Sequence, residues 1–231
     1  MSSKTLFRLS GLALLIALPI QIVGWLMHPP GELLVDLLSP LQGPAHVVLF
    51  FSFMLVLLGM PGLYARQARR AGVLGLVSFV LVMYALAFSV YVLLYEAFPA
   101  PMLAQNEATQ ALIATGGPLA HGAGALGPVG FVLVFLAFPL FGIITVRAGV
   151  LPRGAGWLLI VNVPVFFVSM IGLSLVLSPE VVERLPGPVS PIALQNYLLL
   201  LGYAWGGYAL WTEKERLPAS MAQMREPQPA A

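Results

Sequence analysis

The chain has no cysteine among its 231 residues, and only 9% of its residues are charged. The absence of cysteine excludes disulfides, thiolate metal ligands and cysteine nucleophiles. Soluble domains typically contain about 25% charged residues. The shortage of charge, together with 59% hydrophobic residues and a mean hydropathy of +0.93, therefore predicts an integral protein of the lipid bilayer.

The sequence also lacks the motifs of several familiar enzyme classes. It contains no His-Glu-x-x-His zinc motif, no Gly-x-Ser-x-Gly nucleophile elbow and no Gly-Lys phosphate loop. Common hydrolases and ATP-driven machines are therefore not expected, although the sequence does not decide whether the protein is an enzyme. The basic residues form short clusters at predicted helix ends and not a continuous stripe, so nucleic acid is not an expected partner.

Apolar runs long enough to cross about 30 Å of hydrocarbon occur six times. They predict an all-α bundle of six transmembrane helices, with spans at 9–27, 45–63, 72–95, 126–146, 155–177 and 192–211. Residues 1–217 would form this membrane domain. The segment 218–231 is rich in Pro, Gln and Ala, and we expect it to be a disordered cytoplasmic tail.

Charged residues are divided unequally between the two sides of this arrangement. With the N-terminus in the cytoplasm, that side carries ten basic and three acidic residues, and the other side carries one basic and six acidic residues. Lys and Arg are enriched at the cytoplasmic ends of spans. Both termini of a multi-pass protein are therefore predicted to be cytoplasmic.

One sequence pattern occurs twice. Residues 43–46 read Gly-Pro-Ala-His and residues 117–121 read Gly-Pro-Leu-Ala-His, and an Arg-Ala-Gly-Val-Leu turn follows at 70–74 and at 147–151. The pattern predicts a duplicated parallel hairpin, formed by spans two and three and by spans four and five. Each hairpin would be entered beside a histidine.

The basic turns also carry a resemblance. Residues 147–157 read Arg-Ala-Gly-Val-Leu-Pro-Arg-Gly-Ala-Gly-Trp, and together with the turn at 64–70 they resemble sequences common in small, uncharacterised bacterial multi-pass membrane proteins. The resemblance covers mainly spans two to five. It implies a location in the bacterial inner membrane and supplies no activity.

All three histidines fall at outer ends of predicted helices, with Glu96 at a similar depth. Imidazoles with a carboxylate are typical ligands of divalent metals, and two opposed imidazoles can hold haem iron. We therefore take His28, His46, His121 and Glu96 as candidate metal ligands, and His46 with His121 as the candidate haem pair. A proton-handling role and anchoring of the rings at the headgroup boundary are the alternatives.

Aromatic residues at helical spacing precede Glu96. Tyr84, Phe88, Tyr91 and Tyr95 share one predicted helix face. Such a face usually packs against another helix. Its functional interpretation is a flat wall for a prenyl, sterol-like or porphyrin ligand, in which Tyr91 and Tyr95 would bind the cofactor.

Polar residues recur inside the predicted spans. Gln21 shares a face with His28, and Asn162 shares a face with Ser169. Interhelical hydrogen bonds are the favoured interpretation, and a substrate path is the alternative.

The last span contains Gly202 and Gly206 in a Gly-x-x-x-Gly pattern, which allows another backbone to approach closely. The partner is either another helix of the bundle or a second molecule, in a homodimer or with another membrane protein.

These observations favour a binding protein with an outer-leaflet His/Glu pocket for a metal, haem or lipid-like ligand. An accessory subunit that packs against other membrane proteins is the alternative, followed by a small permease.

Overall fold

The structure is a computed structural model that describes residues 3–31, 33–114, 117–119, 127–178, 181–182 and 184–212. These residues are helical or form turns, and none of them lies in a strand. The helices are α1 (Ser3–Met27), α2 (Leu34–Leu37), α3 (Gln42–Ala97), α4 (Pro99–Ala104), α5 (Glu107–Ile113), α6 (Gly127–Ala148), α7 (Arg153–Val176), a short 3-10 helix (Gly187–Val189) and α8 (Pro191–Thr212).

Four helical stretches among the described residues are long and apolar enough to cross a membrane. They are Lys4–Met27, Gln42–Ala104, Val129–Ala148 and Arg153–Val176. The protein is therefore all-helical, with apolar helices of the length that a bilayer requires. The more polar helix α8 covers the sixth predicted span but is not among the four, so six spans stay a prediction.

Helix α3 reverses direction at Gly72. Gly72 has φ +59° and ψ −154°, a conformation essentially restricted to glycine. The ring centroids of Tyr64 and Phe79, on either side of it, stack at 4.5 Å, whereas fifteen residues of straight helix would span about 22 Å. Two arms, 42–71 and 73–97, therefore lie side by side.

The second basic turn has a similar glycine. Gly149 has φ +60° between α6 and α7 and occupies the position in its turn that Gly72 occupies in the first. The predicted repeat is thus matched at the turns, while Ala120 and His121 of the second Gly-Pro-x-x-His element lie outside the described residues. Whether the two hairpins superpose is still a prediction.

The long helices pack in a closed ring. Helix α1 lies between the first arm of α3 and α8, α6 contacts both α3 and α7, and α7 contacts α8. Glycines permit the closest approaches: a Cβ added at Gly207 of α8 would lie 2.7 Å from Leu14 Cβ and 2.8 Å from Gly11 O of α1. The interior between the helices is a continuous cluster of buried side chains contributed by all of them.

The ring has two chemically different ends. We call one the basic end, because it gathers the start of α1, the reversal in α3 and the turn from α6 to α7, with Lys4, Arg8, Arg66, Arg69, Arg70, Arg147 and Arg153. We call the other the histidine end, where the end of α1 meets the start of α3 and the 3-10 helix. Much of the outer surface between the ends is apolar, and Leu175 and Val176 of α7 are each 82% exposed.

Candidate functional site

Two of the three histidines meet at the histidine end. His28, directly after α1, and His46, in the first turns of α3, have ring centroids 4.8 Å apart with an interplanar angle of 54°. The ring centroid of Trp25 also lies 4.8 Å from that of His28. The antiparallel packing of α1 on the first arm of α3 brings these rings together, with Gly24 against Leu49 one turn deeper.

The Nδ1 atom of each imidazole forms a hydrogen bond with a backbone carbonyl oxygen. His28 Nδ1 is 2.7 Å from Pro29 O, and His46 Nδ1 is 2.8 Å from Gln42 O. A carbonyl oxygen only accepts hydrogen bonds, so each Nδ1 donates, and in a neutral ring with this tautomer the lone pair is on Nε2. Backbone carbonyls commonly orient metal-ligating histidines in this way.

Glu96 is buried near the same end. Its residue is 6% exposed, and His46 is 3% exposed. A Cβ added at Gly43 would lie 3.0 Å from Ala97 O, so the start and the end of α3 touch at this point. His46 lies one turn after Gly43 and Glu96 directly precedes Ala97, which brings the carboxylate within about one helical turn of this crossing.

His121, the fourth candidate ligand, lies outside the described residues, so its predicted pairing with His46 stays a prediction. The neighbour of His46 within the described chain is His28. Those residues include no group of three or more His, Asp or Glu side chains placed to hold a metal ion. The described chain therefore contributes a histidine pair with a nearby carboxylate.

The predicted aromatic face is divided among different surroundings. Phe88 packs edge-on against Phe131 of α6, and Tyr84 and Tyr91 are 45% and 49% exposed. Tyr95 is buried in a small cluster under α2 and α4 with Leu37, Ala100 and Ala104. The four rings thus differ in burial and neighbours, because successive turns of α3 meet α6, the outside of the bundle and the α2–α4 cover, and a shared wall for a ligand is still a prediction.

Several polar residues buried at this end are not part of the predicted metal site. Gln42 is fully buried and Trp25 is 6% exposed. Within the described chain, both amide atoms of Gln42, the indole Nε1 of Trp25 and the Tyr95 hydroxyl have no hydrogen-bond partner. The available signal was a glutamine directly before the Gly-Pro element. A tryptophan near the end of a span is commonly an interfacial anchor, and only the packing shows that Trp25 is buried.

Deeper in the bundle, the expected hydrogen bond between helices is confirmed for Asn162. Its Oδ1 accepts from Gln195 Nε2 of α8 at 3.2 Å. Ser169 instead donates to Phe166 O of its own helix at 2.9 Å. Burial thus pairs the amide across two helices, whereas the short hydroxyl reaches only its own backbone.

Gly202 and Gly206 both face other helices of the same chain. A Cβ at Gly202 would lie 2.9 Å from Leu159 Cδ2 of α7, and one at Gly206 would lie 2.9 Å from Leu63 Cδ2 of α3. The Gly-x-x-x-Gly pattern therefore serves packing within the bundle, one of the two alternatives considered. A homodimer or a partner protein through these glycines is still an untested prediction.

No protein-family model matches the chain, and comparisons with curated proteins and with solved structures give no match.

Proposed function

We propose that the chain is a six-span membrane protein that binds a divalent transition metal at its histidine end, through His28 and His46 with Glu96 nearby. The observation that carries the proposal is the contact between the two imidazoles, each with Nδ1 on a carbonyl. Membrane insertion is supported by the four long apolar helices and by the exposed apolar surface between the two ends.

The separation of the rings favours a small ion over haem. With metal–nitrogen distances of about 2.0–2.1 Å, two rings at neighbouring positions of a tetrahedral ion have centroids about 5 Å apart, and two rings on opposite sides of one metal have centroids roughly 6 Å apart. The 4.8 Å between His28 and His46 agrees with the first arrangement. Neutral Nε2 atoms and a carboxylate suit Zn²⁺ and similar ions.

Metal binding should be tested on protein purified in mild detergent by Zn²⁺ titration calorimetry and elemental analysis. We expect one equivalent of metal, and we expect loss of stoichiometric binding in His28→Ala and in His46→Ala, because losing either ligand leaves an open site. Gln67→Ala is a matched control, because Gln67 is also buried but lies near the basic end. Unchanged Zn²⁺ binding in both histidine variants would reject this function.

Orientation requires its own experiment. The natural absence of cysteine allows single cysteines at Glu107 and at Arg69 to be labelled in intact cells with an impermeant thiol reagent. The charge distribution predicts labelling at Glu107 and none at Arg69. The reverse result would place the histidine end in the cytoplasm. Separately, the Zn²⁺ titration of His121→Ala tests the predicted third histidine ligand.

A further inference from the structure

The interior of the histidine half contains a series of polar atoms that lack partners within the described chain. They include both amide atoms of Gln21, the indole Nε1 of Trp25, Gln195 Oε1 and the Tyr203 hydroxyl. Gln21 is 1% exposed and Tyr203 is fully buried. These groups come from two helices that face each other, α1 and α8.

Contacts between the helices fix the depth of each group. The rings of His28 and His46 touch at the top, and Trp25 shares a cluster with Leu49 and Ala193 one turn below. Gln21 is one turn deeper on α1, and Gln195 lies two residues below Ala193 on α8.

Tyr203 lies deepest. It is one turn from Gly207, which packs against Leu14, and so it lies near the level of Ala17. Eleven residues separate His28 from Ala17, which corresponds to about 16 Å along the helix. The polar atoms therefore descend to the middle of the bundle.

Unsatisfied polar atoms at this depth would be costly. Each polar atom left without a hydrogen bond in an apolar interior costs about 1–3 kcal/mol, because it has lost its bonds to water. The series contains donors such as the indole N–H and acceptors such as the Gln195 carbonyl oxygen. Water can satisfy both kinds of group, and a buried water typically has about three polar neighbours.

The series ends at an apolar layer. Leu14, Met60, Leu63, Phe141 and Leu210 are each at most 2% exposed, and they fill the interior between Tyr203 and the basic end. This layer has no polar side-chain atom except the weakly accepting sulfur of Met60. The layer would therefore separate the series of polar atoms from the basic end.

We infer that the histidine half contains a hydrated half-channel that admits water and water-sized solutes from the histidine end to Tyr203 and is closed by the apolar layer below. Gln21, Trp25, Gln195 and Tyr203 line it. The half-channel does not depend on metal binding, because its walls lie below the two histidines. It gives the interior a function in admitting small polar species to the bundle centre.

Hydroxyl-radical footprinting of the unmodified protein in membranes tests the half-channel, because the radical labels side chains that adjoin water. We expect labelling of Trp25 and Tyr203 at a rate at least ten-fold above that of Met60. Methionine is a readily oxidised side chain, so protection of Met60 would demonstrate a dry layer. Met102, which is 70% exposed on α4, is the positive control.

Single cysteines provide a second measurement with a different chemistry. We expect a small charged thiol reagent to modify Gln21→Cys, and to leave Leu210→Cys in the apolar layer and Val168→Cys unmodified. Val168 is 70% exposed on the outside of α7, so it distinguishes access to lipid from access to water. Protection of Tyr203 in the footprint together with an unreactive Gln21→Cys would overturn the half-channel. Labelling of Met60 as fast as Tyr203 would overturn the closing layer.

Discussion

The two halves of the bundle interior treat their buried polar groups differently. In the basic half, Gln67 Nε2 donates to Thr145 Oγ1 at 3.2 Å across α3 and α6, and Ser78 donates to Gly75 O at 2.9 Å. In the histidine half, Gln21 and Gln42 are equally buried, yet their amide atoms have no partner within the described residues.

The basic half therefore bonds most of its buried polar groups to other protein groups, whereas the histidine half contains several buried polar groups without a protein partner in the described chain. Helices meet at glycines in both halves, but the polar side chains of the basic half are mostly paired with protein groups, with Gln67 Oε1 as an exception. A stable fold does not require the buried amides of the histidine half, since apolar residues of similar size would avoid their desolvation cost. Their presence fits the ligand and the water proposed for that half.

The largest expected effect comes from the tight contact between α1 and α8. Gly207→Val should prevent correct assembly or lower the free energy of unfolding by more than about 3 kcal/mol, because overpacking against Leu14 and Gly11 O has no room to relax. Thermal unfolding in detergent measures this loss. Gly172→Ala is the control: an added Cβ there meets no atom within 4 Å, so it should be neutral or stabilising by up to about 1 kcal/mol. Equal melting temperatures for the two variants would contradict the tight contact.

A smaller effect is expected at the reversal of α3. Gly72→Ala should cost about 1–3 kcal/mol, because a side chain is strained at φ +59° and ψ −154° even though an added Cβ contacts nothing within 4 Å. Chemical denaturation in mixed micelles provides the measurement. Leu74→Ala, in the same turn and 61% exposed, is a control that keeps the glycine. A loss at Leu74 equal to that at Gly72 would show that side-chain burial, and not backbone conformation, determines the turn.

The smallest expected effect directly compares the two halves. Gln67→Leu should lower stability by about 0.6 kcal/mol, the average for a hydrogen bond between membrane helices. Gln21→Leu should cost less or be stabilising, because its amide atoms have no protein partner in the described chain and their removal breaks no hydrogen bond between helices. Parallel melting curves measure the difference between these identical substitutions. A greater loss at Gln21 would contradict this expectation and show that the Gln21 amide contributes more to stability than the hydrogen bond between Gln67 and Thr145.

Part of the site could be predicted from the sequence. Placing His28, His46 and Glu96 near helix ends required only the lengths of the apolar runs, because helix rise fixes depth. Which rings touch depends on how neighbouring helices are rotated, and the repeat suggested His121 as the neighbour of His46. The structure brings His28 against His46 through the packing of α1 on α3, while His121 lies outside the described residues, so its pairing is still a prediction. The spacing of Tyr84, Phe88, Tyr91 and Tyr95 likewise predicted a shared helix face, but it did not predict which element each ring contacts.

Composition and periodicity by themselves determined that the protein is all-helical, that its helices can cross a bilayer, and that its chain turns at the two Arg-Ala-Gly-Val-Leu segments. These properties follow from local physics: hydrocarbon requires internally bonded helices, and glycine permits positive φ. Only the tertiary structure decided that Gly202 faces α7, that Trp25 and Gln42 are buried, and that two imidazoles lie 4.8 Å apart. Those facts depend on which faces of six nearly uniformly apolar helical segments meet, and a uniform apolar surface does not encode its own rotation.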